Sequence, residues 1–249
     1  MTTFATPKVT LIANTAIVPD AIEQRLEIQE GSTDAETLTV YAGRSCYESW
    51  SRPNEKTRED KDYLRRTLFE QGHFSILEHA TATFYITGVS RALTHELIRH
   101  RHLSYSQLSQ RFVDESVPSI VIPPAATEVD AEVVYDQEEF RGELSGPIPE
   151  ALDWWAQDAV WNYDELVHTL MSKGLPRKQA REAARAVLPN MIETKIVVTG
   201  NLRAWYEVID RRIQPDADAE IQRLSRMLLK QLLTIAPDVF EPPRKHLEG

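Results

Sequence analysis

Residues 79–101 read HATATFYITGVSRALTHELIRHR, and their periodicity changes half-way along. Ala80, Ala82, Phe84 and Ile86 alternate with Thr81, Thr83, Tyr85 and Thr87, which is the two-residue repeat of a half-buried strand. Gly88 then turns the chain, and Ser90 is placed to cap a helix running to about Arg101. A strand feeding directly into a helix predicts an α+β fold, with the charged Arg99-His100-Arg101 triplet at the helix end.

Outward from this stretch the same two periods recur. Residues 54–72 predict a helix: 55–60 are mostly charged, Tyr63, Leu64 and Leu68 lie on one face, and Gly72 ends it. Residues 35–43 fit helix and strand equally, and 9–18 read as a β-branched first strand broken at Pro19-Asp20. On the other side, 113–124 reads as extended and 127–149 as an acidic, irregular surface excursion. A long helix over 150–173 places Leu152, Trp155, Ala159, Leu166 and Leu170 on its inner side and closes at Gly174. Pro176 opens a further helix to about Val187, followed by a strand over 194–199 and a helix over 201–213. Residues 220–235 carry Ile221, Leu224, Leu228, Leu232 and Ile235 as a core stripe. With no Ser/Gly linker and no repeat, the expectation is a single α+β domain over 1–249, a mixed or antiparallel sheet flanked by helices.

The chain has 249 residues and a formal charge of −10, from 38 acidic and 28 basic side chains, which argues against generic attraction to DNA or anionic membranes. The N-terminal residues lack a signal-peptide pattern, so the expected location is cytoplasmic. The longest uncharged, apolar-leaning stretch, 116–127, carries three prolines and cannot span a bilayer. Cys46 is the sole cysteine, so neither an intrachain disulfide nor a cysteine-based metal site can form, and its expected role is that of a small buried residue. The nine glycines form neither G-x-G-x-x-G nor G-x-x-x-x-G-K-[ST]; any nucleotide must therefore be held by side chains and helix ends.

Against the acidic background, residues 91–111 hold four arginines and one acid, Glu96, and five of the seven histidines fall within residues 73–102. His95-Glu96 begins like a zinc-protease motif, but the next histidine is five residues on, roughly 140° round a helix, and Arg99 fills the fourth position. No metal is expected. Arg99 and Arg101 followed by Ser104, Ser106, Ser109 and Arg111 suit an anion instead, since guanidinium holds phosphate bidentately and stays charged. Lys178, Arg181, Arg185, Arg211 and Arg212 form a second basic group; taken alone, Arg181 and Arg185 also fit pairing with Glu182 and its neighbours on an exposed helix. Ser109 lacks a nucleophile elbow and serves more simply as a hydrogen-bond donor.

Arg99-His100-Arg101, seven further residues, Ser109 and then Arg111 resemble the signature of the flavin-dependent thymidylate synthases. The resemblance extends to Gly72-His73, Glu78-His79, residues 184–189, Glu193-Thr194-Lys195, Gly200-Asn201-Leu202-Arg203-Ala204-Trp205 and Arg212, covering about residues 8–240. It implies reductive methylation of dUMP to dTMP, with 5,10-methylenetetrahydrofolate as carbon donor, NADPH as reductant and FAD as hydride carrier. It also implies a homotetramer with active sites shared between chains. Position by position it implies FAD contacts from Ser75, Arg99, His100, Arg101, Gln107, Asn201, Leu202, Arg203 and Glu207. It likewise implies dUMP contacts from Glu96, Leu97, Ile98, Arg99, Gln107, Leu108, Ser109, Gln110, Arg111, Arg185 and Arg212, with Arg91 and Lys178 as further nucleotide candidates. Arg212 is the implied catalytic residue, stabilising negative charge at the uracil imide so that carbon 5 becomes nucleophilic. Asp216 and Glu207 depart from the family, which often has histidine at the first position and histidine or asparagine at the second. A nucleic-acid-binding helix over 91–111 is the competing reading, disfavoured by the net charge; a dUMP binder without catalysis is another.

Overall fold

The alternating stretch forms the strand Thr81–Ser90, with Ala82, Phe84 and Ile86 fully buried. The computed structural model describes residues 3–137 and 142–247. In chain order its elements are β1 (Thr3–Phe4), β2 (Lys8–Asn14), α1 (Pro19–Glu23), α2 (Asp34–Ser45), α3 (Asp60–Leu64), β3 (Thr81–Ser90), α4 (Arg91–Leu97) and β4 (Leu103–Gln107). There follow β5 (Ser119–Ile120), α5 (Pro124–Thr127), β6 (Glu132–Gln137), β7 (Gly142–Pro147), α6 (Ile148–Ser172) and α7 (Arg177–Ala184). The chain continues with β8 (Glu193–Asn201), α8 (Leu202–Arg212), α9 (Ala219–Ile235) and α10 (Pro237–Phe240). One sheet has the order β2-β3-β8-β4; β6 pairs antiparallel with β7, and β1 pairs parallel with β5. The class is α+β. Among the described residues no helix is long and apolar enough to cross a membrane.

The chain forms two compact units. Unit 1 is Met1–Lys8, Ile86–Leu97 and Ser106–Ile196; unit 2 is Val9–Tyr85, Ile98–Tyr105 and Val197–Gly249. In unit 2, Trp205 of α8 is fully buried, donates its indole N–H to Ala82 O at 3.1 Å and meets Phe84 edge-on at 5.0 Å. The α9 stripe Ile221, Leu224, Leu228, Leu232 and Ile235 is buried as its spacing predicts. In unit 1, α6 packs Tyr163 and Val167 against Ala180 and Ala184 of α7. Gly88, at φ +69°, is required: a Cβ there would lie 2.0 Å from Thr6 O.

Several local expectations are corrected. The ambiguous 35–43 segment is helical within α2, started by a capping box in which the Thr33 hydroxyl and the Glu36 carboxylate each accept the other's backbone N–H. The single helix expected over 54–72 is three pieces: a 3-10 turn Glu55–Thr57, α3 and a wide turn Arg65–Glu70. Distant bonds set the start of α3. Gln29 Oε1 accepts the Asp60 N–H at 2.7 Å, and the Asp60 carboxylate accepts from Arg52 at 2.6 Å and Ser32 at 3.1 Å. The inner face of α6 is Ala151, Ala156, Val160, Tyr163 and Val167, leaving Trp155 and Leu166 exposed. The excursion expected over 127–149 starts at the last residue of α5 and contains the β6–β7 pair, its residues 138–141 lying outside the described ones. Cys46 is exposed.

Candidate active site

The first basic group of unit 2 lies in a turn, not on a helix. Ser90 Oγ accepts the Leu93 N–H at 3.0 Å, as expected of a cap, but α4 ends at Leu97. The chain then turns through 98–102, with the Leu103 N–H and the Tyr105 hydroxyl both donating to His100 O, at 3.3 and 2.8 Å. Helix α8 is anchored at its start, where Asn201 Oδ1 accepts the Ala204 N–H at 2.8 Å. Ala204, Glu207 and Arg211 then recur at three- and four-residue intervals, placing them on one face together with Arg212. These four residues and Arg99, His100, Arg101 and His102 line a cavity of about 520 Å³.

Four arginines and one carboxylate line this cavity, and a contact between Arg212 and His100 fixes a protonation state within it. Arg212 Nε–H donates to His100 Nε2 at 3.1 Å, so that nitrogen carries no proton. Burial, and then the Arg212 charge, push the His100 pKa down; Glu207 opposes them and Arg211 adds to the fall. His100 is therefore a neutral acceptor at neutral pH. Glu207 pairs with Arg211 at 3.0 Å, one helical turn on.

In unit 1 the second group is a turn held against a helix. Gln107, closing β4, donates its amide to Thr94 Oγ1 at 3.3 Å and Thr194 Oγ1 at 3.1 Å. The Leu108 N–H bonds to Lys195 O at 2.8 Å, and beyond it the chain curls over Ser109, whose carbonyl accepts from Phe112 and Val113 at 3.2 and 3.0 Å. Helix α7 faces this turn. Arg111 pairs with Glu182 at 3.5 Å, and the Lys178 ammonium lies 5.0 Å from the Phe112 ring centroid. Arg181 donates to Phe112 O at 2.8 Å and to the Asp114 carboxylate. Partial burial disfavours ionised Asp114, yet the Ser116 amide and the Arg181 charge bring its pKa below the ordinary value. Arg91 interacts with Glu115 and Arg185, burial lowering its own pKa. Glu115 is 4% exposed, and burial pushes its carboxyl up to about 6 despite Arg91.

The residues singled out in the sequence divide between the units. Unit 2 contains Ser75, Ile98, Arg99, His100, Arg101, Asn201, Leu202, Arg203, Glu207 and Arg212; of these Arg99, His100, Arg101, Glu207 and Arg212 share the cavity. Ser75 is exposed on the turn Phe74–Glu78, Asn201 caps α8, Leu202 is core and Arg203 pairs with Glu78. Unit 1 contains Glu96, Leu97, Gln107, Leu108, Ser109, Gln110, Arg111 and Arg185. Leu97 and Gln110 are buried, which directs their side chains away from solvent, whereas Arg185 is exposed at the end of α7. The sequence pattern did not single out His102 or Ala204 as cavity residues and placed Arg211 only in the second basic group; for Ala204 and Arg211, the three- and four-residue spacing from Glu207 is the available signal.

The sequence model of the thymidylate synthase complementing protein family matches residues 28–238, a span that includes both basic groups and all of α8. The chain belongs to this family. It is also similar to curated relatives named flavin-dependent thymidylate synthase. That of Mycobacteroides abscessus is 50% identical over 215 residues, covering 84% of this chain and 81% of the relative. That of Mycobacterium tuberculosis is 49% identical over 219 residues with the same coverages. That of Mycobacterium sp. strain JLS is 46% identical over 245 residues, covering 94% and 88%.

Proposed function

We propose that this protein is a flavin-dependent thymidylate synthase, a methyltransferase that converts dUMP to dTMP with 5,10-methylenetetrahydrofolate, NADPH and FAD. The observation that carries the reading is the 520 Å³ cavity in which Arg99, Arg101, Arg211 and Arg212 surround a neutral His100, in a chain of this family. Its size falls in the ordinary range for small-molecule sites, about 300–1,000 Å³. Its donors also suit a dinucleotide pyrophosphate, because guanidinium forks hold such oxygens without a glycine-rich loop.

Arg99, His100, Arg101 and Glu207 would hold FAD, joined by Ser75, Gln107, Asn201, Leu202 and Arg203. Bound there, FAD supplies hydride chemistry to the reaction. The chain's own part is electrostatic. Arg212, which donates its Nε–H to His100, stabilises at the uracil imide the charge that makes carbon 5 nucleophilic. Arg111 and Arg185 neutralise the dUMP phosphate and Ser109 donates to it, while Glu96, Leu97, Ile98, Arg99, Gln107, Leu108 and Gln110 complete the substrate contacts. Arg91 and Lys178 add positive charge. Asp216 stands where the family often has histidine and is given no flavin contact. The working form is a cytoplasmic homotetramer of one catalytic domain per chain, with active sites shared between chains and neither nucleic acid nor membrane as partner.

The test is dTMP formation from dUMP, methylenetetrahydrofolate and NADPH, with and without added FAD. Product that requires FAD is the expected outcome. FAD and dUMP bound without product would leave a binding protein in place of the enzyme.

A further inference from the structure

The turn carrying Ser109 and Arg111 is tied to the strand ladder at one end only. Beyond the bond from Leu108 to Lys195, its backbone hydrogen bonds run back to Ser109 itself. At the other end the exit of the turn is held by hydrogen bonds from Arg181. Arg181, in the middle of α7 and 11% exposed at its side chain, donates one Nη–H to Phe112 O at 2.8 Å and the other Nη to the Asp114 carboxylate. A planar guanidinium can hold a carbonyl and a carboxylate at once, which an ammonium cannot do with the same geometry. Arg181 is thus engaged with Asp114 rather than with Glu182, which pairs with Arg111. Lys178 reaches Phe112 from the preceding turn of the same helix.

We infer that Arg181 is a positioning residue: it fixes the Phe112–Asp114 exit of the turn, so that Ser109 and Arg111 are presented to a phosphate dianion that Arg181 does not itself touch. This rests on reading Ser109 and Arg111 as phosphate contacts. Its charge is already matched by Asp114, so its part is geometric.

The test uses the FAD-loaded enzyme with dUMP as substrate and deoxyuridine, which lacks the phosphate, as competitive inhibitor. Arg181→Met should raise KM for dUMP about tenfold while kcat stays within about twofold, with flavin content and the deoxyuridine inhibition constant unchanged. Arg181→Lys should fall between wild type and Arg181→Met. Asp114→Asn should give a smaller rise, and the double variant Arg181→Met with Asp114→Asn should be no worse than Arg181→Met alone. An unchanged KM, an equal loss of deoxyuridine binding or a loss confined to kcat would overturn the inference. Should Arg181→Met fail to fold, Arg181→Lys and Asp114→Asn decide the question by the same readouts. Wild-type enzyme that neither binds nor converts dUMP is a different failure: it removes the phosphate reading, and this inference with it.

Discussion

The two arginine groups follow opposite electrostatic plans. In unit 2, Glu207 is the one acidic residue lining a cavity with four arginines, and no carboxylate of the described residues pairs with Arg99 or Arg101. In unit 1, Arg111 rests on Glu182, Arg181 on Asp114, and Arg91 lies beside the buried Glu115. Arg99 and Arg101 thus keep their positive field for an incoming anion. The second group already has internal counter-ions, so an anion reaches it by exchange. Removing a cation should therefore be most costly in the first group, while removing Glu115 or Glu182 should ease folding or binding in the second; Asp114, which holds Arg181 in place, is the exception.

The largest effect is expected at Arg212. Arg212→Ala should leave FAD bound and lower turnover by about a hundredfold, the scale found when one donor to developing charge is removed. Flavin absorbance after gel filtration and kcat measured together test this; wild-type turnover would remove Arg212 from its assigned role. Next comes Glu115, whose carboxyl is raised by burial from 4.5 to about 6. Between those values the folded chain binds more protons than the unfolded one, so stability falls as pH rises through the window, and the loss is complete above about pH 6. Glu115→Gln removes that dependence. Its unfolding free energy should gain on wild type by up to about 2 kcal/mol between pH 4.5 and 7, measured by urea unfolding at each pH. A difference that stays constant with pH would mean that Glu115 is well paired and that the second group is more fully compensated than its burial indicates.

Ser109→Ala should raise KM for dUMP about fivefold, the loss of one charge-assisted hydrogen bond, while turnover remains measurable. Complete loss of turnover with intact dUMP binding would return Ser109 to the role of nucleophile. Residues 99–111 hold much of the candidate site within one short stretch of sequence. The alternation ending in Ala82, Phe84 and Ile86, the Ser90 cap and the α9 stripe were legible for the same reason: each is set by neighbours within a few residues. What was not legible depends on distant partners. Two overlapping stripes on α6 satisfy the helical period, and the packing of Tyr163 and Val167 on α7 selects between them. The helix expected over 54–72 is reset at Asp60 by Gln29 and Arg52. Arg181 has Glu182 beside it in sequence, but Asp114, 67 residues away, takes that place. Helix α2 is set locally, since Thr33-x-x-Glu36 spells its capping box.

The smallest effect is the one that most directly separates the two plans. Arg111 and Glu182 lie 3.5 Å apart with side chains 42% and 49% exposed, so their pairing is screened and is worth at most about 1 kcal/mol. If that pair competes with phosphate, Glu182→Gln should lower KM for dUMP by about threefold with kcat unchanged. The gain should shrink as salt is raised, because added ions weaken the wild-type pair as the substitution does. If Glu182 instead holds Arg111 in its working orientation, the same variant raises KM. Exposure favours competition: a half-exposed, 3.5 Å contact constrains a guanidinium far less than the doubly bonded, 11% exposed Arg181 next to it constrains its turn. A raised KM would therefore mean that the unit 1 acids act as scaffolding, and that the contrast between the groups is one of rigidity more than of charge.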